Sequence, residues 1–527
     1  MPPIRGVMAV RRWVFPAWPI RALPLACVVL AGFALRIYDI TRTPPELIVD
    51  ELDLYNSIHS IATTGHDVDG TLLPFFASAF TRNPPLYALA EWCSSLVFGN
   101  GAFGLRLPAV LFGTIAIGLM YALAFELTRR RDVALPAAIV MATAPIFVHF
   151  SRLAWEPDCE LPFLLAGAYF LVRAFVRAGD VTRARAIVSG RDLALGATFL
   201  ALTCYTYMAG WFYAAALALP IVVLNARRLR SRGIALRAAA AAALGLVLAW
   251  PALWMWFANQ DTYARTQRIA TFGNGVRPDT IVQFFTNYLA HFRWSYLVTT
   301  GDPVSGSTWR YLNGFGAFYW WTIPLAGLGL VTARRYLRAA WTLPWLVWWV
   351  AIYPLGGSLT NEGVPNAPRT LAGTPVFCIL AALGVAALFE AVARFPEPRR
   401  VLRVVCLANV ALSVALFAQF YFTKFDYIAP NMWDSGTHDL FGVIREHARE
   451  NRRLCFSIRP AWYGTVTYER YYLSDVPIAE IEDLNDPRCY LPGTLLATDT
   501  PLRRPGFRTI ASVPEIGGLP FGYVSER

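Results

Sequence analysis

The sequence predicts an all-α polytopic membrane protein with a small α/β domain at its C-terminal end. Only 16% of the 527 residues are charged and 56% are hydrophobic, whereas soluble globular domains carry about 25% charged residues. Apolar runs of about 18 residues or more, each able to cross a hydrocarbon core of about 30 Å, recur as far as residue 422. These features exclude a soluble multidomain protein.

The apolar runs predict about eleven transmembrane helices. The first run is followed by Tyr38 and Asp39 rather than by a small-residue cleavage site, which favours a retained span over a signal peptide. The predicted spans cover residues 22–40, 103–127, 133–150, 160–178, 193–208, 210–225, 236–257, 318–333, 341–357, 370–393 and 401–422.

The net charge of +12 comes from 46 arginines and one lysine, and many of the arginines form short tracts between spans. Such tracts mark the cytoplasmic side of a membrane protein. The basicity is therefore explained by topology and by contact with anionic lipid, and it does not indicate nucleic-acid binding. An odd number of spans with a cytoplasmic N-terminus places the C-terminus outside. The tracts cover residues 129–132, 183–191, 227–237, 333–338 and 394–400.

The chain divides into a membrane domain, residues 1–422, and an extracytoplasmic α/β domain, residues 423–527. The membrane domain has two long outer loops, at about 41–101 and 258–317. Residues 441–453 are typical of an amphipathic helix, and four short strands are predicted within 455–458, 494–499, 508–513 and 521–526. Cys455 and Cys489 lie in this outer domain, where an oxidising compartment permits a disulfide.

The first outer loop contains adjacent acids, Asp50 and Glu51, in the stretch PPELIVDELDLYNS. Apolar residues at 54, 58 and 61 indicate a short helix in the membrane interface, which also carries His59. A carboxylate held there could take a proton from an acceptor hydroxyl or amine. Solvated loop charge or a helix cap is the structural alternative.

A second charged cluster lies between the third and fourth spans, in HFSRLAWEPDCELP (149–162). Arg152, Glu156 and Asp158 are close together near the membrane, where charge is costly and by default indicates a functional site. The alternative is a mutual ion pair that holds two helix ends.

Further polar residues are predicted on the same side. Arg369 lies at the mouth of the tenth span, and a guanidinium with permanent charge can neutralise a phosphate. The alternative for Arg369 is that its side chain snorkels to the interface. For Tyr205 and Tyr207 the alternative is that they belong to an aromatic belt. The histidines have no close spacing, so no metal site is predicted. The other residues are Arg82 and Asn83 before a Pro-Pro pair, and Tyr205 and Tyr207 at an outer turn.

An ordered series of segments resembles the C-type (GT-C) glycosyltransferases, in particular the protein O-mannosyltransferase and aminoarabinose transferase group, often called glycosyltransferase family 39. The series extends over about the first 385 residues. Its segments are VDELDLYNSIHSIATTG (49–65), NPPLYALAEW (83–92), FGLRLPAVLFGT (103–114), HFSRLAWEPDCELPFLLAGAYFLVRA (149–174), LALGATFLALTCYTYMAG (193–210) and PNAPRTLAGTPVFCILAALG (365–384).

The resemblance implies a GT-C fold and transfer of a sugar from a polyprenyl-phosphate donor to a glycan, lipid or protein acceptor. The reaction would occur by inverting displacement on the outer side of a bacterial inner membrane, without a nucleotide or an essential metal. A transporter or flippase for a lipid-linked saccharide is one alternative, although the polar residues cluster at the outer helix ends rather than at the midplane, and no internal repeat is evident. A non-catalytic membrane scaffold whose C-terminal tail binds a partner is another.

The resemblance also assigns roles to residues. Asp50 corresponds to an acidic residue that serves in the family as general base or binds the acceptor, with Glu51 as its neighbour. Glu156 or Asp158 corresponds to a second acid, at the acceptor. Arg369 resembles a ligand of the donor phosphate. Related sequences often have Lys or His at the position of Asn83. If that residue binds donor phosphate, then either Arg82 or another arginine such as Arg152 replaces it, or the donor differs. Asn83, Tyr205, Tyr207 and His59 would line the substrate site.

Overall fold

Most of the chain folds as helices that follow the apolar runs, as the computed structural model shows. The model describes residues 18–72, 77–78, 82–177, 188–258, 267–301, 314–361, 363–425, 435–448, 453–457, 465–476, 478–481, 485–502, 505–516 and 518–527. Parts of both long outer loops and most of the basic tract 183–191 lie outside these residues.

Within the described residues, a helix lies at each of the eleven positions where a span is predicted. Several begin at a proline, whose fixed φ and missing N–H suit the first helical turn. The helices of the membrane domain are α1 (Trp18–Ile37), α2 (Val49–Thr64), α3 (Pro85–Phe98), α4 (Ala102–Thr128), α5 (Arg131–Thr143), α6 (Pro145–Phe150), α7 (Glu160–Arg177), α8 (Gly190–Thr203), α9 (Met208–Leu224), α10 (Ala226–Leu229), α11 (Arg232–Ala258), α12 (Pro278–Ala290), α13 (Thr322–Thr332), α14 (Thr342–Ile352), α15 (Leu355–Ser358), α16 (Ala367–Thr370), α17 (Pro375–Ala391) and α18 (Pro396–Thr423).

Four helical segments of the described chain are long and apolar enough to cross a membrane: Ala102–Thr128, Glu156–Arg177, Arg232–Met255 and Pro396–Thr423. A fifth results if Ala367–Gly373 and Pro375–Ala391, bent by 51°, form one span. Other predicted spans are shorter or broken, as at Ala144 between α5 and α6. The polytopic helical architecture is confirmed, and the count of eleven spans stays a prediction.

The helices approach one another closely where glycines remove side chains. A Cβ added at Gly384 on α17 would lie 2.1 Å from the carbonyl oxygen of Leu325 on α13, and one at Gly329 would lie 1.8 Å from that of Leu380. Small residues at such contacts allow backbone-to-backbone packing in a membrane, where no hydrophobic effect drives helices together. This packing fixes α17, which follows α16, the short helix that carries Arg369.

The two ends of the helix bundle differ in charge. Arg106 lies near the start of α4 and Glu126 near its end, about 30 Å apart at 1.5 Å per residue. Glu126 is buried and accepts ion pairs from three arginines, Arg129 (2.9 Å), Arg177 (3.1 Å) and Arg338 (3.4 Å). We call this end the arginine-rich face. The opposite end, which carries Asp50, Glu91, the 156–159 turn and Arg369, is the acidic face.

The C-terminal domain is α/β, as predicted. Its five-stranded sheet has the order β4-β3-β5-β7-β6, in which β3 pairs in parallel with β4 and β5, while β7 pairs antiparallel with β5 and β6. Cys455 and Cys489, whose pairing the sequence left open, form a disulfide. The amphipathic helix begins and ends earlier than the predicted 441–453. The elements are α19 (Thr437–His447), β3 (Arg453–Ser457), α20 (Thr465–Tyr472), β4 (Ala479–Ile481), β5 (Thr494–Thr498), β6 (Arg508–Pro514) and β7 (Pro520–Glu526), and β1 (Ala77–Ser78) and β2 (Arg82–Asn83) pair in the first outer loop.

The C-terminal domain packs on the first outer loop. Leu440 and Phe441 of α19 and Tyr468 of α20 belong to the same hydrophobic cluster as Leu52 and Tyr55 of α2. The C-terminal domain therefore shares a core with the loop that carries Asp50.

Candidate functional site

Glu51 is a buried junction of the acidic face. Its Oε1 accepts hydrogen bonds from Arg106 Nε (2.8 Å) and from the backbone N–H of Ala154 (2.7 Å). Its Oε2 accepts from Arg106 Nη2 (3.1 Å) and from the N–H of Ile48 (2.9 Å), which caps the start of α2. All of these contacts are structural. Glu51 therefore holds α2 in place, and of the two predicted catalytic acids only Asp50 is kept as a candidate base.

Arg106 is the second half of this junction, and sequence reasoning did not single it out. Besides pairing with Glu51, its guanidinium donates to the carbonyl oxygens of Ile40 (3.0 Å), Pro44 (2.7 Å) and Glu46 (2.6 Å). It is fully buried. Arg106 thus fixes the chain that enters α2 as well as α2 itself.

Asp50 lies in the first turn of α2, directly before this buried junction. Its side chain is partly exposed, unlike that of Glu51. The positive end of the helix dipole favours the ionised form of a carboxyl group in the first turn. Asp50 therefore combines a carboxyl group at the positive end of α2, partial access and a rigid support.

The hinge between α6 and α7 brings Arg152 and the second acids to the acidic face. The two terminal guanidinium nitrogens of Arg152 donate to the carbonyl oxygens of Leu35, Arg36, Tyr38 and Thr43 at 2.6–3.1 Å. Arg152 thus satisfies the C-terminal end of α1, where carbonyls lack intrahelical partners. This placement favours a structural role over the predicted contact with donor phosphate.

Glu156 and Asp158 lie on a 3-10 turn, Glu156–Cys159, and both are buried. Neither carboxylate oxygen of Asp158 has a hydrogen-bond partner within the described part of the chain, although the positive charge of Arg36 interacts with it favourably. Buried carboxylates without hydrogen bonds are costly. The retention of Asp158 here is consistent with a site that receives a polar ligand.

Glu91 on α3 is a further buried acid that sequence reasoning missed. It is fully buried, and both of its oxygens lack hydrogen-bond partners in the described residues. Burial, followed by repulsion from Glu51 and Glu156, raises the pKa of Glu91 well above its usual value of 4.5. Its carboxyl group is therefore neutral across a wide pH range. In the sequence, the apolar neighbours of this acid in NPPLYALAEW are the one feature that indicates its burial.

Replacing Glu91 with Gln should raise the stability of the protein, more at pH 8 than at pH 5. Above pH 4.5, ionisation of Glu91 stabilises the unfolded chain, while the carboxyl group in the folded state stays protonated. The stability of the wild-type protein therefore falls by about 1.4 kcal/mol per pH unit until the folded-state pKa is reached. Apparent melting temperatures of the purified protein measure this difference. Glu446→Gln, at an exposed position, is the control, and an equal effect of both variants would contradict neutral burial.

Arg369 lies on α16, which packs against the 156–159 turn. Its Nη1 donates to Thr360 Oγ1 (2.6 Å), and its backbone N–H donates to the side chain of Asn366, which caps α16 (3.0 Å). The side chain is partly exposed. The structure thus brings the predicted phosphate ligand to the element that carries Glu156 and Asp158.

His291 supports this late loop and was not among the predicted site residues. Its Nε2 accepts a hydrogen bond from the N–H of Asn366 (2.9 Å), and its Nδ1 contacts the carbonyl of Asn287 (2.8 Å). This pair of contacts requires a neutral ring with the proton on Nδ1. Burial lowers the pKa of His291 to about 4. The histidine is therefore a fixed neutral support over the physiological pH range.

The remaining predicted residues are distributed around these elements. The hydroxyl of Tyr205 donates to the carbonyl of Leu248, and its own carbonyl accepts from the N–H of Leu86, which ties the 203–207 turn to the start of α3. Tyr207 and Asn83 are partly buried. His59 is exposed and stacks on Tyr55 at 5.4 Å. The side chain of Arg82 lies outside the described part of the structure.

No group of three or more His, Cys, Asp or Glu side chains within the described ranges has the geometry to hold a metal ion. The acids of the acidic face are therefore described by hydrogen bonding and charge alone.

Comparisons with known proteins give a matching family model and similar folds. Residues 82–255 match the family model described as dolichyl-phosphate-mannose-protein mannosyltransferase. The chain is similar in fold to ArnT from Cupriavidus metallidurans bound to undecaprenyl phosphate, with a TM-score of 0.54, 13% identity, and coverage of 97% of this chain and 98% of that chain. The apo form of ArnT gives a TM-score of 0.56 with the same identity and coverage.

A second similar fold is that of the Archaeoglobus fulgidus oligosaccharyltransferase, in a complex with Zn and sulfate. Its TM-score is 0.54 at 15% identity, over 90% of this chain and 68% of that chain. No curated protein matches the chain. The chain has the fold of the C-type glycosyltransferases, and the resemblance to the O-mannosyltransferase and aminoarabinose transferase group is confirmed.

Proposed function

We propose that this chain, a multi-pass membrane protein with the C-type glycosyltransferase fold, transfers a sugar from a polyprenyl-phosphate donor to an acceptor at its acidic face. One observation carries the proposal. Glu51, next to Asp50, bonds to Ala154 just before the 156–159 turn, and that turn packs against the helix of Arg369. A base, buried acids and a partly exposed arginine therefore share one face.

In the proposed reaction, Asp50 removes the proton of the acceptor hydroxyl or amine while that atom attacks the anomeric carbon of the donor sugar. The bond from the anomeric carbon to the phosphate oxygen breaks, and the polyprenyl phosphate leaves with the electron pair. The configuration at the anomeric carbon inverts, as in an inverting glycosidase. Phosphate is a good leaving group, so no general acid is needed.

Arg369 stabilises the charge that develops on the leaving phosphate, because a fixed guanidinium needs no reorganisation during the reaction. Glu156 and Asp158 bind hydroxyl or amino groups of the acceptor or of the donor sugar. Arg152 is removed from the proposed phosphate ligands, since its terminal nitrogens are used by carbonyl oxygens of the first outer loop and α1. Arg82 stays a predicted second ligand, and Asn83, Tyr205, Tyr207 and His59 stay predicted lining residues.

The acceptor class stays open between a glycan, a lipid and a protein, and neither a nucleotide nor an essential metal is part of the proposal. The distribution of arginine supports an orientation in which the arginine-rich face is cytoplasmic and the acidic face extracytoplasmic, in a bacterial inner membrane. The donor would then approach from the outer leaflet, beside Arg369.

Arg369→Ala tests the proposal with the purified protein, an undecaprenyl-phosphate-linked radiolabelled sugar and a lipid acceptor. We expect kcat/KM to fall by about 100-fold or more, the usual effect of removing one group that stabilises transition-state charge. Arg338→Ala, which removes an arginine bound to Glu126 on the opposite face, is the matched control. Transfer at the wild-type rate by Arg369→Ala would refute the phosphate-binding role, and translocation of the donor without transfer would favour a flippase.

A further inference from the structure

We propose that the C-terminal domain positions the catalytic acid: α20 holds α2, and through α2 it holds Asp50, in the geometry required for transfer. This inference rests on the proposed function and assigns the C-terminal domain a part in it. Asn56, Thr467 and Tyr471 are the positioning residues.

The first contact lies one to two helical turns after Asp50. The side-chain amide of Asn56 donates to the backbone carbonyl of Thr467 (2.8 Å), and the hydroxyl of Thr467 donates to Asp53 Oδ1 (3.4 Å). Asp53 and Asn56 are 6% and 7% exposed, although both are polar residues of an outer helix. The C-terminal domain therefore covers α2 with specific hydrogen bonds as well as with apolar surface.

A second contact extends from the other end of α20. The hydroxyl of Tyr471 donates to the carbonyl of Asn100, just after α3, and its ring meets Tyr55 edge-on at 5.9 Å. Arg470 Nη2 donates to the carbonyl of Val68, in the loop after α2 (3.4 Å). Helix α20 thus bridges α2 and α3, the two helices of the first outer loop.

A third contact precedes Asp50 in the sequence. The N–H of Gly436, at the start of α19, donates to Glu46 Oε1 (3.4 Å). Arg106 donates to the backbone carbonyl of Glu46 (2.6 Å). The domain therefore contacts the chain both before and after Asp50.

These contacts complement the junction of Glu51 and Arg106. That junction fixes α2 to the membrane helices. On the side that faces the C-terminal domain, α20 fixes α2 and α19 fixes the loop before it. Asp50 lies between the two supports. A catalytic group must be held within a fraction of an ångström, and a displacement of about 1 Å can cost 100-fold in rate. The donor-phosphate ligand Arg369 has its own support on α16, so loosening α20 should affect the chemical step more than donor binding.

Two variants test this with the full-length protein in the transfer assay. Asn56→Leu keeps the volume and removes the amide donor, and Tyr471→Phe keeps the ring and removes the hydroxyl. We expect kcat to fall about tenfold for Asn56→Leu and severalfold for Tyr471→Phe, with the KM for undecaprenyl-phosphate sugar unchanged within about twofold. Arg508→Gln, which removes an exposed ion pair with Glu526 at the edge of the sheet, should leave both constants unchanged.

The outcomes separate this inference from the proposed function. Absence of transfer by the wild-type protein with any polyprenyl-phosphate sugar refutes the function. An active wild type together with a folded Asn56→Leu variant of equal kcat refutes the positioning role alone, as does a fall in kcat/KM that comes entirely from KM. If Asn56→Leu does not fold, Tyr471→Phe decides by the same criterion, since loss of one hydroxyl leaves the packing intact.

Discussion

Replacing Asp50 with Asn should reduce kcat for sugar transfer by about 100- to 10,000-fold, the range usual for loss of a general base. The amide has nearly the same shape and cannot accept the acceptor's proton. Asp50 is partly exposed and its neighbour Glu51 supports the helix, so we expect the variant to fold and to bind donor normally. Single-turnover transfer and separate measurement of undecaprenyl phosphate binding distinguish the two steps.

Asp69→Asn is the matched control, because it makes the same chemical change at an exposed position of the same outer loop. It should transfer at the wild-type rate. If Asp50→Asn also retains full activity, then Asp50 is not the base, and Glu156 on the neighbouring turn becomes the residue to replace next. If the variant instead loses donor affinity with kcat unchanged, the carboxylate belongs to binding rather than to proton transfer.

Replacing Arg106 with Met should destabilise the protein by about 3–5 kcal/mol, the cost of leaving one charge of a buried pair uncompensated. Glu51 would lose its arginine partner in a site with no exposure, and the carbonyls of Ile40, Pro44 and Glu46 would lose their donor. We expect a low yield of folded protein and a strongly lowered apparent Tm. Thermal unfolding monitored by tryptophan fluorescence in detergent measures this effect.

Two further variants serve as controls for Arg106→Met. Arg130→Met removes an ion pair with Asp132 that is largely exposed, and such pairs contribute about 0–1 kcal/mol. The double variant Glu51→Leu with Arg106→Met removes both buried charges, so its loss of stability should be smaller than the sum of the single losses. A Tm for Arg106→Met equal to that of Arg130→Met would show that the junction does not support the first outer loop.

Sequence patterns predicted what depends on local periodicity. Apolar runs predicted helices at the right positions, and short segments with β-branched or aromatic residues predicted four of the five described strands of the C-terminal sheet. The missed strand, Ala479–Ile481, has three residues, too few for a pattern. The break at Ala144 and the bend before Pro375 interrupt two runs that are continuous in hydropathy, because proline stops a helix without making the segment polar.

The sequence indicated which acids and arginines lie at the candidate site, but it did not indicate which of them support the fold and which are accessible to a substrate. Glu51 and Asp50 are adjacent in sequence, and nothing local shows that one is tied to Arg106, 55 residues later, while the other keeps partial access. The same applies to Arg152, whose positive charge indicated phosphate binding, whereas its partners are carbonyl groups more than 100 residues away. Glu91 and His291 have apolar or irregular surroundings in the sequence, and only the fold shows their burial.

The contact between Asn56 and Thr467 spans 411 residues, and this has a consequence for biogenesis. At synthesis rates of about 5–20 residues per second, α2 would wait roughly 20–80 s for the helix that covers it. During that interval the apolar side of the first outer loop lacks the cover that α20 provides. Chains that terminate before α20 should therefore be inserted in the membrane yet cleaved by proteases in this loop.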